Sequence, residues 1–131
     1  MVFSELVDQV KRDARIQELD PKELQGLLKA STTSSDQPKP VILDVRESPE
    51  HATGRIPNSL PIPRGVLEGA VDSIGLDRST PLVVYCAGGF RSVLAAESLQ
   101  RMGFTHVHSL HGGMKAWRES GGPVTQGSQE E

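Results

Sequence analysis

Apolar positions along the chain follow two kinds of pattern. "PVILDV" and "PLVVY" are short apolar runs rich in β-branched residues and without clean alternation. That is the signature of strands buried on both faces of a parallel sheet, and "HVHSL" reads as a further strand. Elsewhere the apolar residues recur at helical spacing. Phe3, Leu6, Val7, Val10 and Ala14 are interleaved with Glu5, Asp8, Lys11 and Arg12, which predicts an amphipathic helix leaning on the domain as an accessory element. "RSVLAAESLQRMG" predicts a helix that buries Ala95, Leu99 and Met102 and stops at Gly103, and "MKAWRES" predicts a last one.

Start and stop signals add to this. In "LDPKELQGLLKA", Asp20 stands as N-cap, Pro21 as first helical residue and Glu23 at the capping-box position, ahead of the apolar face Leu24, Leu27 and Leu28. A short helix from Ser48, the Gly/Pro-rich passage "GRIPNSLPIPRG" and a second short helix through "VLEGAVDSI" separate the two apolar strands. "STTSSDQPKP" predicts a mobile surface loop, and "PVTQGSQEE" a frayed tail. Alternating strands and helices argue an α/β domain around a mostly parallel sheet.

The chain has 131 residues, enough for one domain with a real core and no disulfide or metal staple. Its formal net charge of -3 offers no basic excess to attract nucleic acid. No run approaches the roughly 18 apolar residues of a membrane span, and the amino terminus mixes both charge signs, so a cytoplasmic protein without a membrane partner is expected. Cys86 is the single cysteine. It forms no internal disulfide, which leaves a buried structural thiol, a metal ligand or a reactive group.

The surroundings of Cys86 favour the reactive group. If Leu82 to Tyr85 is a central strand and a helix starts near Ser92, the intervening residues form a tight loop at the carboxyl end of the sheet, where open α/β folds place ligands. Ala87, Gly88 and Gly89 carry almost no side chain, so their amides can turn around the sulfur as an anion-binding nest. The following helix amino terminus and Arg91 add positive charge. Such conditions lower a thiol pKa and produce a nucleophile.

"YCAGGFRS", with "ILDVRESPEHATGRIPNSLPIPRG" upstream and "GFTHVHSLHGGMKAWRESGGP" downstream, resembles the single-domain rhodaneses, a sulfurtransferase family. The match runs from about Leu19 to Pro123 and keeps the family order of motifs, so residues 1–18 are assigned to the accessory helix, 19–123 to the rhodanese-like domain and 124–131 to a flexible tail. The resemblance implies a three-layer α/β domain, with a five-stranded, mostly parallel sheet flanked by helices on both faces. It also implies that Cys86 is the nucleophile, that Ala87, Gly88, Gly89, Phe90, Arg91 and Ser92 bind the transferred sulfur, and that Asp44 and Arg46 brace the site. His51 and Arg55 stand where the family often has an aromatic residue and a histidine.

The implied chemistry passes a sulfane sulfur from thiosulfate or a persulfide to Cys86, and then to a thiol, to cyanide or to a sulfur-relay protein, with no cofactor. Since Arg91 is the only charge built into the loop, persulfides are expected to load Cys86 better than thiosulfate. Two alternatives stand beside this one. A cysteine followed by an arginine also resembles phosphatases and arsenate reductases, whose loops typically hold about five residues between the two; here there are four. A non-catalytic rhodanese-like binding module is the other. Arg55 and Arg64 are candidates for the pocket rim, Glu68 for an exposed helix position, and Gly112 and Gly113 for a turn that permits close packing. His106, His108 and His111 lack a standard metal-ligand spacing and are read as surface or packing residues, and Trp117 as a core anchor.

Overall fold

The two apolar runs become the central strands of the sheet. The computed structural model describes residues 1–33 and 39–127. In chain order the elements are α1 (Phe3–Asp13), β1 (Gln17–Leu19), α2 (Pro21–Thr33), β2 (Val41–Asp44), α3 (Ser48–Thr53) and β3 (Leu60–Pro61). A 3-10 turn (Arg64–Val66) then leads into α4 (Leu67–Ile74), β4 (Leu82–Tyr85), α5 (Arg91–Arg101), β5 (Val107–Leu110) and α6 (Gly113–Glu119). All strand pairs are parallel, in the order β1-β5-β4-β2-β3. This is the layered α/β architecture with five parallel strands that the resemblance implied.

Both faces of the sheet are covered, which is why β2 and β4 lack a polar side. Successive side chains of a strand point to opposite faces. Leu82, Val84 and Cys86 therefore join one core with Val71, Ala95, Ala96 and Leu99 of α4 and α5. Val83 and Tyr85 join the other, with Leu24 of α2 and with Met114 and Trp117 of α6. Trp117 is fully buried, as its reading as an anchor requires, and its indole N–H donates to the Pro123 carbonyl at 2.8 Å.

The start of α2 follows its sequence signal closely. Glu23 N–H donates to Asp20 Oδ1 at 2.8 Å, and Asp20 N–H donates to Glu23 Oε1 at 2.9 Å, a reciprocal capping box. The helix extends to Thr33, so the predicted loop begins later than Ser31; residues 34–38 lie outside the described residues. β1 and β3 have no pattern of their own. "QEL" holds one apolar residue, and β3 is a two-residue edge strand ending in Pro61, a position that tolerates the missing N–H. Met102 is half-buried and packs at the margin of the α4/α5 core.

The segment after α6 departs from a frayed tail as far as Gly127. Arg55 and Thr125 exchange two backbone hydrogen bonds of 2.9 Å, and Gly127 N–H donates to the Ala52 carbonyl at 2.8 Å. A polar segment without apolar periodicity is here held by backbone groups, which no side-chain pattern reveals. No helix of the described residues is long and apolar enough to cross a membrane.

α1 lies on α5, and of its predicted apolar face only Val7 is fully buried. A chain beginning at Gln17 keeps β1 and both cores. In urea denaturation it is expected to unfold cooperatively, with stability lowered by about 2 kcal/mol, the worth of one buried valine. Loss of the cooperative transition would place α1 within the main core.

Candidate active site

Cys86 directly follows β4, and the turn from Ala87 to Phe90 leads straight into α5. The residue is 1% exposed. Two backbone donors converge on its sulfur, Gly89 N–H at 3.2 Å and Ser92 N–H at 3.3 Å. The Ser92 hydroxyl lies 3.5 Å from the sulfur and is held by the hydroxyl of Ser109 on β5 at 2.8 Å. Two amide donors and a hydroxyl thus face one sulfur.

The turn keeps this shape because α6 grips it from outside. Met114 N–H donates to the Cys86 carbonyl at 2.8 Å and Lys115 N–H to the Ala87 carbonyl at 3.1 Å. Gly113, at φ +60°, makes this contact possible: a Cβ there would run into the Cys86 carbonyl and come within 2.7 Å of the Ala87 oxygen. Gly89, at φ +94°, is needed for the same reason, since a Cβ would lie 2.9 Å from Gly112 N. Gly88 is not constrained in this way; a Cβ there meets nothing within 4 Å. The Gly112–Gly113 pair thus serves close packing, as its sequence context suggested.

The carbonyls of Cys86 and Ala87 are turned toward α6, and Gly89 is the one residue between Cys86 and Ser92 whose amide meets the sulfur. Among the described residues nothing accepts a hydrogen bond from the amides of Ala87, Gly88, Phe90 or Arg91. These residues, with Cys86 and Phe3 of α1, line a cavity of about 290 Å³. Arg91 is the only cationic side chain in that lining, and its guanidinium lies 3.5 Å from Glu50 Oε2 on α3. Glu50 is itself fixed, because its other oxygen accepts from Glu47 N–H at 3.0 Å and caps α3. The positive charge assigned to the loop therefore has a counter-ion. The spacing of Glu47 and Glu50 signals that cap, although nothing in the sequence links it to Arg91.

Asp44 and Arg46 form a buried brace beside the cysteine loop. Arg46 Nε and Nη2 donate to the two Asp44 oxygens at 3.0 and 2.8 Å, and Arg46 N–H adds a third bond at 3.0 Å. Asp44 Oδ2 also receives the Tyr85 hydroxyl at 3.0 Å and meets His51 Nδ1 at 2.8 Å. Arg46 Nη2 reaches on to the Gly54 carbonyl at 2.7 Å, and the Tyr85 oxygen accepts from Ile56 N–H at 3.2 Å. One carboxylate thus joins β2, β4, α3 and the approach to β3. Burial opposes its charge, but the hydrogen bonds from Arg46 and His51 outweigh burial and hold the carboxyl below its ordinary range. Burial and the nearby Asp44 charge push Tyr85 up to about 12, so the phenol stays a donor. His51, at a position the family often fills with an aromatic residue, is a member of this brace that the sequence did not suggest.

The two other predicted arginines lie elsewhere. Arg55 is 4% exposed and donates to the carbonyls of His51 and Gly127, so it secures the segment leading to Gly127 and is absent from the lining of the Cys86 cavity. Backbone carbonyls, whose placement the sequence does not reveal, claim its donors. Arg64 pairs with Glu68 at 2.9 Å and is also absent from the lining. Glu68 is half-buried and accepts from Ser98 as well. Among the described residues no group of three or more His, Cys, Asp and Glu side chains is placed to hold a metal ion. His106 meets Thr105, and His111 faces Glu18. Phe3, Glu50 and Ser109 are the site neighbours that sequence reasoning missed.

A carboxyl held below its ordinary value stabilises the fold above about pH 4, and that contribution disappears as pH falls through the folded-state value. Asp44→Asn leaves Arg46 buried without its partner, so at pH 7 it is expected to cost about 3–5 kcal/mol in urea denaturation. The gap to the unmodified protein should narrow at pH 3. An equal gap at both pH values would mean that the Asp44 charge is not what stabilises the brace.

The loop geometry and the sheet agree with comparisons to known proteins. The model of the Rhodanese-like domain matches residues 20–120. The tRNA uridine(34) hydroxylase of Erwinia tasmaniensis is 32% identical over 115 residues, covering 80% of this chain but only 33% of that protein. The chain thus spans about a third of that relative's length. Among solved structures, a thiosulfate sulfurtransferase from Pseudomonas aeruginosa superposes with a TM-score of 0.81 at 28% identity, covering 95% of this chain and 23% of the other. The polysulfide-sulfur transferase homodimer of Wolinella succinogenes gives 0.73 at 31% identity, over 97% of this chain and 89% of that one. With its cysteine-bearing turn at the carboxyl end of a five-stranded parallel sheet, this chain belongs to the rhodanese-like domain family.

Proposed function

We propose that this protein is a sulfurtransferase that carries a sulfane sulfur as a persulfide on Cys86. The observation that carries the reading is the loop itself, in which two amides already face Sγ and four more have no acceptor among the described residues. Preorganised donors of this kind stabilise charge where it develops. A persulfide extends the thiolate by one sulfur atom and keeps the negative charge at its end, so donors beyond Sγ are what it needs.

In the loading step the Cys86 thiolate attacks the outer sulfur of the donor. With thiosulfate, the bond between its two sulfur atoms breaks, the electron pair leaves on sulfite, and Cys86 becomes a persulfide anion. In the unloading step a thiolate or cyanide attacks the terminal sulfur, and Cys86 leaves as thiolate. Charge is conserved in both steps and no acid-base pair is required. The likeness to one protein named for thiosulfate and another named for polysulfide supports this class of donor. The Arg91–Glu50 pair supports persulfides over the thiosulfate dianion, because the counter-ion weakens the only cation in the cavity lining.

Incubation with thiosulfate or a persulfide is expected to add about 32 Da, one sulfur atom, to the intact protein, and a reducing thiol to remove it. Cys86→Ser should lose both the adduct and the transfer activity while remaining folded. Folded, reduced protein that no sulfane-sulfur donor modifies would leave a binding module, and turnover of phosphate esters through Cys86 would point to phosphatase chemistry.

A further inference from the structure

Phe3 belongs to α1, a segment that lies before the residues matched by the family model. It nevertheless lines the same cavity as Cys86, Ala87, Gly88, Phe90 and Arg91. Its ring meets that of Phe90 edge to face, with centroids 5.7 Å apart. The two rings remain 48% and 45% exposed, an unusual degree for phenylalanines already in contact with each other. α1 lies on α5 and is anchored one helical turn further on by the buried Val7, which places Phe3 beside the cysteine loop.

The lining of this cavity is mostly apolar. Two aromatic rings, an alanine and a glycine line it beside Cys86, and the one cation of the lining has Glu50 at 3.5 Å. Transfer of a strongly hydrated dianion into such a place is costly, whereas an apolar group gains by leaving water. Any substituent joined to the transferred sulfur occupies the cavity that Phe3 and Phe90 line, and an aromatic substituent there can make edge or offset ring contacts.

Resting on the sulfurtransferase reading, we propose that Phe3, together with Phe90, is a specificity-determining residue that selects monoanionic organic sulfane-sulfur donors bearing an apolar or aromatic substituent. Organic thiosulfonates represent that class. The Cys86 thiolate attacks the outer sulfur of R–SO2–S⁻, and the bond between the two sulfur atoms breaks. The electron pair departs on the sulfinate R–SO2⁻, leaving the Cys86 persulfide anion, so one negative charge is carried by each product as by each reactant.

The test compares benzenethiosulfonate with methanethiosulfonate, which share charge and reaction and differ in the substituent alone. The quantity read is the ratio of their kcat/KM values with cyanide as acceptor, taken for the unmodified protein and for Phe3→Ala and Phe3→Leu. Phe3→Ala is expected to lower the ratio about fivefold, the scale of one aromatic contact. Phe3→Leu, which keeps an apolar side chain over the loop, should lower it by less. Circular dichroism spectra unchanged among the three proteins show that α1 is retained, and the ratio itself cancels any general loss of activity. A ratio that is the same in all three proteins overturns the role of Phe3 while leaving sulfur transfer in place. Failure of both donors to place sulfur on Cys86 in the unmodified protein removes the sulfurtransferase reading, and this proposal with it.

Discussion

The carbonyls of Cys86 and Ala87 point into the first turn of α6, and the rest of the site depends on that orientation. Their lone pairs are claimed by Met114 and Lys115 N–H, while the amides of Gly89 and Ser92 face the sulfur. The arrangement needs backbone atoms of two segments closer than side chains allow, and Gly89 and Gly113 supply it at positive φ. A β4-to-α5 turn without that grip would be free to spend its amides on its own carbonyls. The sulfur would then be an ordinary buried thiol at the end of a core strand.

Around this loop the fold divides its tasks between the two faces of one strand. Cys86 continues the side of β4 that packs on α4 and α5, while Tyr85, one residue earlier, points to the other core and donates to Asp44. The pleat therefore keeps the Cys86 sulfur and the charged brace on opposite sides of the sheet. Asp44 fixes β2, α3 and the approach to β3, and α3 in turn carries Glu50 to Arg91. The brace acts on the site by positioning a helix, without contact with sulfur.

Much of this was legible in the sequence, for reasons that can be given residue by residue. β2 and β4 are apolar on both faces and could only be central. Asp20, Pro21 and Glu23 announce the start of α2, and the loop of small residues between Cys86 and Arg91 marks the site. What escaped was whatever is decided by backbone groups or by distant partners. β1 and β3 are too short to show a period. Arg55 reads as a candidate for the pocket rim until the carbonyls of His51 and Gly127 are seen around it. Phe3 reads as one more apolar residue of an accessory helix, because its neighbour Phe90 lies 87 positions away, on the cysteine loop. Glu50 caps α3 with one oxygen, and its second oxygen, the one that meets Arg91, has no local sequence signal.

The central claim is that the sulfur rests on Cys86 between two separate steps. Protein loaded with a sulfane-sulfur donor, freed of that donor by gel filtration and then mixed with cyanide tests it directly. The expected result is one thiocyanate per chain in the first addition and none in a second. Thiocyanate that forms only when donor and cyanide are present together would contradict a persulfide held by the loop.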